Sequence, residues 1–212
     1  MVANEMSKER FTCDGCIVHK GFYEATRVFL EQAFPIVLTL KKDLLSYTIK
    51  VTGHSLGAAL ALLAANELRL LNLDVTLITL AGPKVGDSKF SEWMDRFWNT
   101  DLLISNLKDA RGNKFPLNTF TRVTNHQDII PLAPLAAMGF AHCGCEIRIG
   151  KGMELSVRGK WTYIHEAQDL KAVSKFLENI TEYGQWESAI NRKDLMARHA
   201  YYFLKVNECI HK

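Results

Sequence analysis

The chain has 212 residues, 48% of them apolar and 23% charged, which suits one globular domain with a sizeable core. Its 26 basic and 23 acidic residues leave a net charge of +3, and the longest basic cluster is the dipeptide Lys41-Lys42, which argues against a nucleic-acid partner. No apolar run reaches the roughly 18 to 20 residues of a transmembrane segment, and Met1-Val2-Ala3-Asn4-Glu5 lacks the apolar stretch of a signal peptide, so the sequence as written reads as cytoplasmic.

Residues 1–16 read as an irregular N-terminal segment, and residues 17–212 as the folded domain. Ile17-Val18-His19 suggests a short strand, and residues 22–45 a helix broken near Pro35. A β-branched run at 47–52 predicts a buried strand, followed by an Ala/Leu-rich helix over 58–71. Residues 75–81 form a second buried strand pattern, closed by Gly82-Pro83. Over 88–98, Phe90, Trp93, Met94, Phe97 and Trp98 recur at helical spacing and read as core. Residues 101–117 read as a loop region with weak helical pattern. Strands are predicted at 119–124 and 145–149, and helices at 166–180 and, mostly, 191–206. Alternating strands and helices predict an α/β fold with a mostly parallel sheet, whose working residues sit at the carboxyl ends of strands.

Gly53-His54-Ser55-Leu56-Gly57 lies between the first buried strand and the Ala-rich helix, where a G-x-S-x-G nucleophile elbow belongs. A sharp strand-to-helix turn pushes the Ser55 hydroxyl out of the backbone and sets it at a helix N-terminus, where the Leu56 N–H can face a developing oxyanion. Gly53 and Gly57 fit a tight turn with backbone passing close by. A serine used this way needs a histidine, and the histidine a carboxylate.

Asp128 follows the strand at 119–124 and suits the carboxylate; Asp87, before a helix, suits an N-cap better. Four histidines follow Asp128. His142 precedes a strand and would sit at the wrong end of a parallel sheet, and His211 lies in the terminal tail. His165 and His199 stand level on spacing alone. The five cysteines include Cys13-Asp14-Gly15-Cys16 and Cys143-Gly144-Cys145, four thiols that zinc could use; the paired spacing is incomplete, and reduced thiols are the expectation.

Five segments, in order, resemble the class 3 (fungal-type) lipases, a family of α/β-hydrolases. They are Val18-His19-Lys20-Gly21-Phe22, the elbow Thr52 through Gly57 (Ser55 follows His19 by 36 residues), Gly82-Pro83-Lys84-Val85-Gly86-Asp87 with Lys84 where arginine is usual, Arg122-Val123 through Asp128-Ile129-Ile130-Pro131, and His199-Ala200-Tyr201-Tyr202-Phe203. The resemblance implies an α/β-hydrolase fold and hydrolysis of acylglycerols or related lipid esters at a transient lipid interface, without metal or organic cofactor. It implies Ser55 as nucleophile, His199 as base, Asp128 as its carboxylate and Leu56 N–H as an oxyanion donor, with His142 at a structural position.

One departure shapes the expectation. Family members carry, upstream of the first matched segment, a strand that supplies a second oxyanion donor, followed by a helical lid. Only 17 residues precede Val18 here, and none reads that way. The expectation is a chain lacking the lid and the first strands of the sheet, a fragment or truncated gene model with a bare sheet edge. The alternative function is a catalytically impaired, lipase-like binding or regulatory protein.

Overall fold

The parallel sheet expected from the strand–helix alternation is the frame of the molecule. The computed structural model describes residues 13–109, 116–126, 128–150, 152–181, 199–202 and 204–205. Elements follow in the order α1 (Lys20–Asp43), β1 (Ile49–His54), α2 (Leu56–Leu70), β2 (Val75–Leu80), β3 (Gly86–Asp87), α3 (Ser88–Phe97), α4 (Thr100–Lys108), β4 (Phe120–Asn125), β5 (Phe140–Ala141), β6 (Cys145–Ile149), β7 (Leu155–Gly159), α5 (Tyr163–Thr181), β8 (Tyr201–Tyr202) and β9 (Leu204–Lys205). The central sheet runs β1-β2-β4-β6-β7. The first four strands are parallel and β7 pairs antiparallel at one edge. β1 is the other edge.

Helix α2 explains the uncharged run after the elbow. Ala59, Leu63 and Ala65 are buried among Val75 and Leu77 of β2, and α2 packs on both β1 and β2 with α1 against it. Alanines at these positions let the helix lie close to the sheet without a void. On α3 and at its C-cap, Phe90, Met94 and Trp98 are fully buried, and Trp93 and Phe97 stack on one another at 4.7 Å. The aromatic stripe is core. Asp87 caps α3 by accepting from the Phe90 N–H at 2.9 Å, as its sequence position suggested.

Several expectations need correction. α1 continues through Pro35: that residue is on the exposed face, so the carbonyl deprived of its amide partner can turn to water. Residues 100–108 form a full helix where a loop was expected, because Leu103 docks into the core. The 191–206 stretch is not helical where it is described beyond Ala200: Tyr201–Tyr202 and Leu204–Lys205 pair as a small antiparallel hairpin, in keeping with the β preference of tyrosine. β3, β5 and β7 are too short or too polar to stand out by alternation. Cys13 and Cys16, with Cα atoms 5.6 Å apart, are disulfide-bonded to each other, which removes them from any thiolate set and corrects both the zinc reading and the reduced-thiol expectation. Cys143 and Cys145 are free and buried; burial pushes the Cys145 thiol up to about 11, so it stays protonated at neutral pH. Cys209 lies outside the described residues. Among the described residues, no helix is long and apolar enough to cross a membrane.

Candidate active site

β1 delivers the elbow. Its last residue is His54, and Ser55 turns the chain with φ 57° and ψ −127°, a conformation that costs a non-glycine residue energy and persists only where the surroundings impose it. They do: the Ser55 N–H donates to Leu80 O at 3.0 Å, and its carbonyl accepts from the Ala58 N–H at 2.9 Å. The turn is tight enough that a Cβ on Gly53 would lie 2.1 Å from Gly57 O, so glycine is required there. Gly57 is different. A Cβ on it would meet nothing within 4 Å, which corrects the expectation that both glycines are forced by close backbone.

The hydroxyl thus presented meets an imidazole. His199 Nε2 lies 2.7 Å from Ser55 Oγ, and His199 Nδ1 lies 3.0 Å and 3.2 Å from the two oxygens of Asp128. Sequence spacing left His165 and His199 level. The structure brings His199 to Ser55 and leaves His165 in the first turn of α5, its backbone N–H held by Thr162. His142 sits before β6, away from the carboxyl end of that strand, with its ring against Pro131 O at 2.6 Å. His211 lies outside the described residues.

Asp128 is buried and well supplied with donors. Besides the imidazole, it accepts from the Ile130 N–H at 3.0 Å and from the Tyr202 hydroxyl at 2.7 Å. With Tyr202 and Ile130 donating to the carboxylate, the ring nitrogen facing it is the Nδ1–H, which leaves Nε2 bare to accept from the Ser55 hydroxyl. Tyr202 is itself buried against Ala81, Val123 and Ile149, and its hydroxyl accepts from the Asn125 N–H at 3.0 Å. Burial, with the Asp128 charge beside it, pushes this phenol well above its ordinary pKa and keeps it a donor.

The segment carrying the imidazole is fixed from two further sides. His54 donates from Nε2 to His199 O at 2.7 Å, their rings 4.6 Å apart, and the Asn125 side-chain amide donates to Tyr201 O at 2.7 Å. His54 lay within the elbow motif. Asn125, Tyr202 and the Ile130 N–H were not identified as part of the site from the sequence. The tyrosine repeats in the matched block gave a place but no role, since a phenol can serve a carboxylate only if the fold turns it inward.

Tyr202→Phe removes one donor to a buried carboxylate. We expect kcat to fall about five- to thirtyfold, corresponding to about 1–2 kcal/mol, with KM nearly constant. Steady-state ester hydrolysis checks this, and an unchanged kcat would show that the phenol is packing alone.

The class 3 lipase family matches residues 1–138, a span that holds Ser55 and Asp128 and stops short of His199. Secreted mono- and diacylglycerol lipase 2 of Gibberella zeae is 32% identical over 142 residues, covering 66% of this chain and 33% of its own. The Lip2 lipase of Yarrowia lipolytica superposes with a TM-score of 0.72 at 25% identity, covering 98% of this chain and 63% of its own. A triacylglycerol lipase described as having a serine protease triad as its catalytic centre matches with a TM-score of 0.53 at 32% identity, over 68% of this chain and 49% of its own. The chain spans 32% to 37% of the length of curated relatives such as these. A family match over more than half of the sequence, on a sheet of this topology, means that the chain belongs to the class 3 lipases.

Proposed function

We propose that the chain is a serine esterase acting on acylglycerols or related lipid esters, within a hydrolase domain spanning residues 17–212. The observation that carries this reading is the run of hydrogen bonds from the Ser55 hydroxyl through the His199 ring to Asp128. Ser55 Oγ attacks the ester carbonyl while its proton passes to His199 Nε2. Asp128 holds the ring and stabilises the imidazolium without taking its proton. The oxyanion rests on the Leu56 N–H at the start of α2. His199 then returns the proton to the leaving alcohol, and water, deprotonated by the same nitrogen, releases the fatty acid from Ser55.

Lipid as the substrate class is supported by the relatives named for mono- and diacylglycerols and by exposed apolar side chains on the segments of the chain around these residues. Leu56 beside the nucleophile, Leu135 and Met138 downstream of Asp128, and Tyr201 in the base segment are all exposed apolar or aromatic side chains. Such a set favours contact with acyl chains at a lipid surface.

Ser55→Ala tests the reading. The purified variant is expected to lose at least 10³-fold in p-nitrophenyl ester hydrolysis and all labelling by a fluorophosphonate probe. Hydrolysis at the wild-type rate would remove Ser55 from the mechanism. A wild-type chain that neither hydrolyses esters nor labels would leave a lipase fold without catalysis.

A further inference from the structure

The loop that carries Asp128 has an unusual difficulty. Pro131 and Pro134 have no N–H, and Pro131 and Leu132 are buried, so the carbonyls of this stretch have few local donors. Donors reach them from another part of the chain. The Lys84 side chain, 0% exposed, donates from Nζ to Leu132 O at 2.7 Å and to Pro134 O at 3.1 Å, and its backbone N–H donates to Ala133 O at 2.8 Å. The His142 ring donates to Pro131 O at 2.6 Å. Four consecutive carbonyls are thereby held, three of them by one lysine.

A buried ammonium is costly unless paired, and Glu166 pairs it: Oε2 lies 3.1 Å from Nζ, while Oε1 accepts from the Ala136 N–H at 2.9 Å, further along the same loop. Burial holds the lysine pKa below its ordinary value, and Glu166 offsets only part of that. Burial, followed by the charges of Arg122 and Lys84, keeps His142 well below the usual histidine range and therefore neutral, with a single N–H to give. A methionine of similar volume would fill the space but leave buried carbonyls unpaired; a lysine supplies three donors from one atom.

We propose that Lys84, braced by Glu166, is a positioning residue: it fixes the loop from Pro131 to Pro134 and so sets Asp128 against His199. The inference rests on the esterase reading and reaches beyond it, to a residue that touches neither substrate nor any reacting atom. Its effect falls on turnover rather than on substrate binding, because an acid displaced by a fraction of an ångström misorients the imidazole and leaves the substrate surface intact.

The test compares Lys84→Met, Lys84→Arg and Glu166→Gln with the wild type. Three readouts are needed: kcat and KM on a p-nitrophenyl ester, the low-field proton resonance of the His199–Asp128 hydrogen bond, and thermal unfolding. Lys84→Met should lower kcat about 10- to 100-fold, hold KM within about twofold and abolish the resonance. Lys84→Arg, which keeps charge and donors, should recover both signals to within about fivefold of wild type. Glu166→Gln should move the same readouts in the same direction by less, and it decides the matter if Lys84→Met does not fold.

Variants that melt earlier but keep kcat and the resonance would overturn the proposal, as would a wild type without the resonance. Should Ser55→Ala retain hydrolysis, the esterase reading fails by itself. The resonance then judges the clamp alone: loss in Lys84→Met or Glu166→Gln supports it, and persistence overturns it.

Discussion

Asp128→Asn is expected to lower kcat about 10⁴-fold while KM stays within about twofold. The reason lies in the donors around the carboxylate. One oxygen accepts from the Ile130 N–H and the other from the Tyr202 hydroxyl, and both face the Nδ1 side of His199. An asparagine can satisfy only part of that set, because its amide nitrogen donates and cannot accept. With the amide nitrogen turned toward the ring, Nδ1 becomes the acceptor and the proton moves to Nε2. A protonated Nε2 has no lone pair for the Ser55 hydroxyl 2.7 Å away, so the base is lost with the geometry intact. Fluorophosphonate labelling should slow by a similar factor, since it depends on the same activated hydroxyl. A loss below about tenfold would mean that Asp128 has only a packing role, and the triad assignment would have to be abandoned.

How much of this was legible in the sequence depends on how local each signal was. Ser55 was readable because the elbow is a continuous stretch: a β-branched strand, a five-residue turn and an uncharged helix, all set by near neighbours. Asp128 was readable because the parallel sheet puts the ends of β1 and β4 on the same side, and the strand preceding it is rich in β-branched residues. His199 was not readable from the residues alone. Its place depends on Asn125 holding Tyr201 and on His54 holding its own carbonyl, contacts between positions more than 70 residues apart. Only the resemblance between the His199 block and a family motif distinguished it from His165.

The buried polar support was hidden for the same reason. Lys84 is one of 26 basic residues, and nothing in its neighbours signals a fully buried ammonium. A lysine after Gly-Pro reads as a solvated turn residue until Leu132, Pro134 and Glu166 are found around it. The disulfide between Cys13 and Cys16 was missed because a C-x-x-C pair with no strand before it is equally compatible with thiols, a metal or a bridge. Periodicity placed the large elements well, since α2 and α3 bury the faces their apolar spacing marks. It failed for α4, read as a loop region, for β7, and where the elements are two residues long, as in β3, β5, β8 and β9.

The two elbow glycines read alike in the motif and are expected to respond in opposite ways to alanine. At Gly53 the added Cβ would sit 2.1 Å from Gly57 O, 2.5 Å from its carbonyl carbon and 2.9 Å from the Ala58 nitrogen. These are backbone atoms at the first turn of a buried helix, so no rotamer change can make room. Either α2 shifts or the turn opens. Gly53→Ala should therefore destabilise by about 3 kcal/mol or more. It should also lower kcat about 10²-fold in the fraction that folds, because both the Ser55 hydroxyl and the Leu56 N–H ride on the displaced turn. At Gly57 the Cβ meets nothing within 4 Å, and the position already lies inside α2. Alanine there removes backbone freedom from the unfolded chain and should stabilise by about 0.5–1 kcal/mol. Urea unfolding separates the two: the midpoint should fall for Gly53→Ala and rise for Gly57→Ala with an unchanged slope. If Gly57→Ala instead destabilises as much as Gly53→Ala does, the open space beside α2 is filled in the folded protein, and the account of the elbow as a turn closed on one side only is wrong.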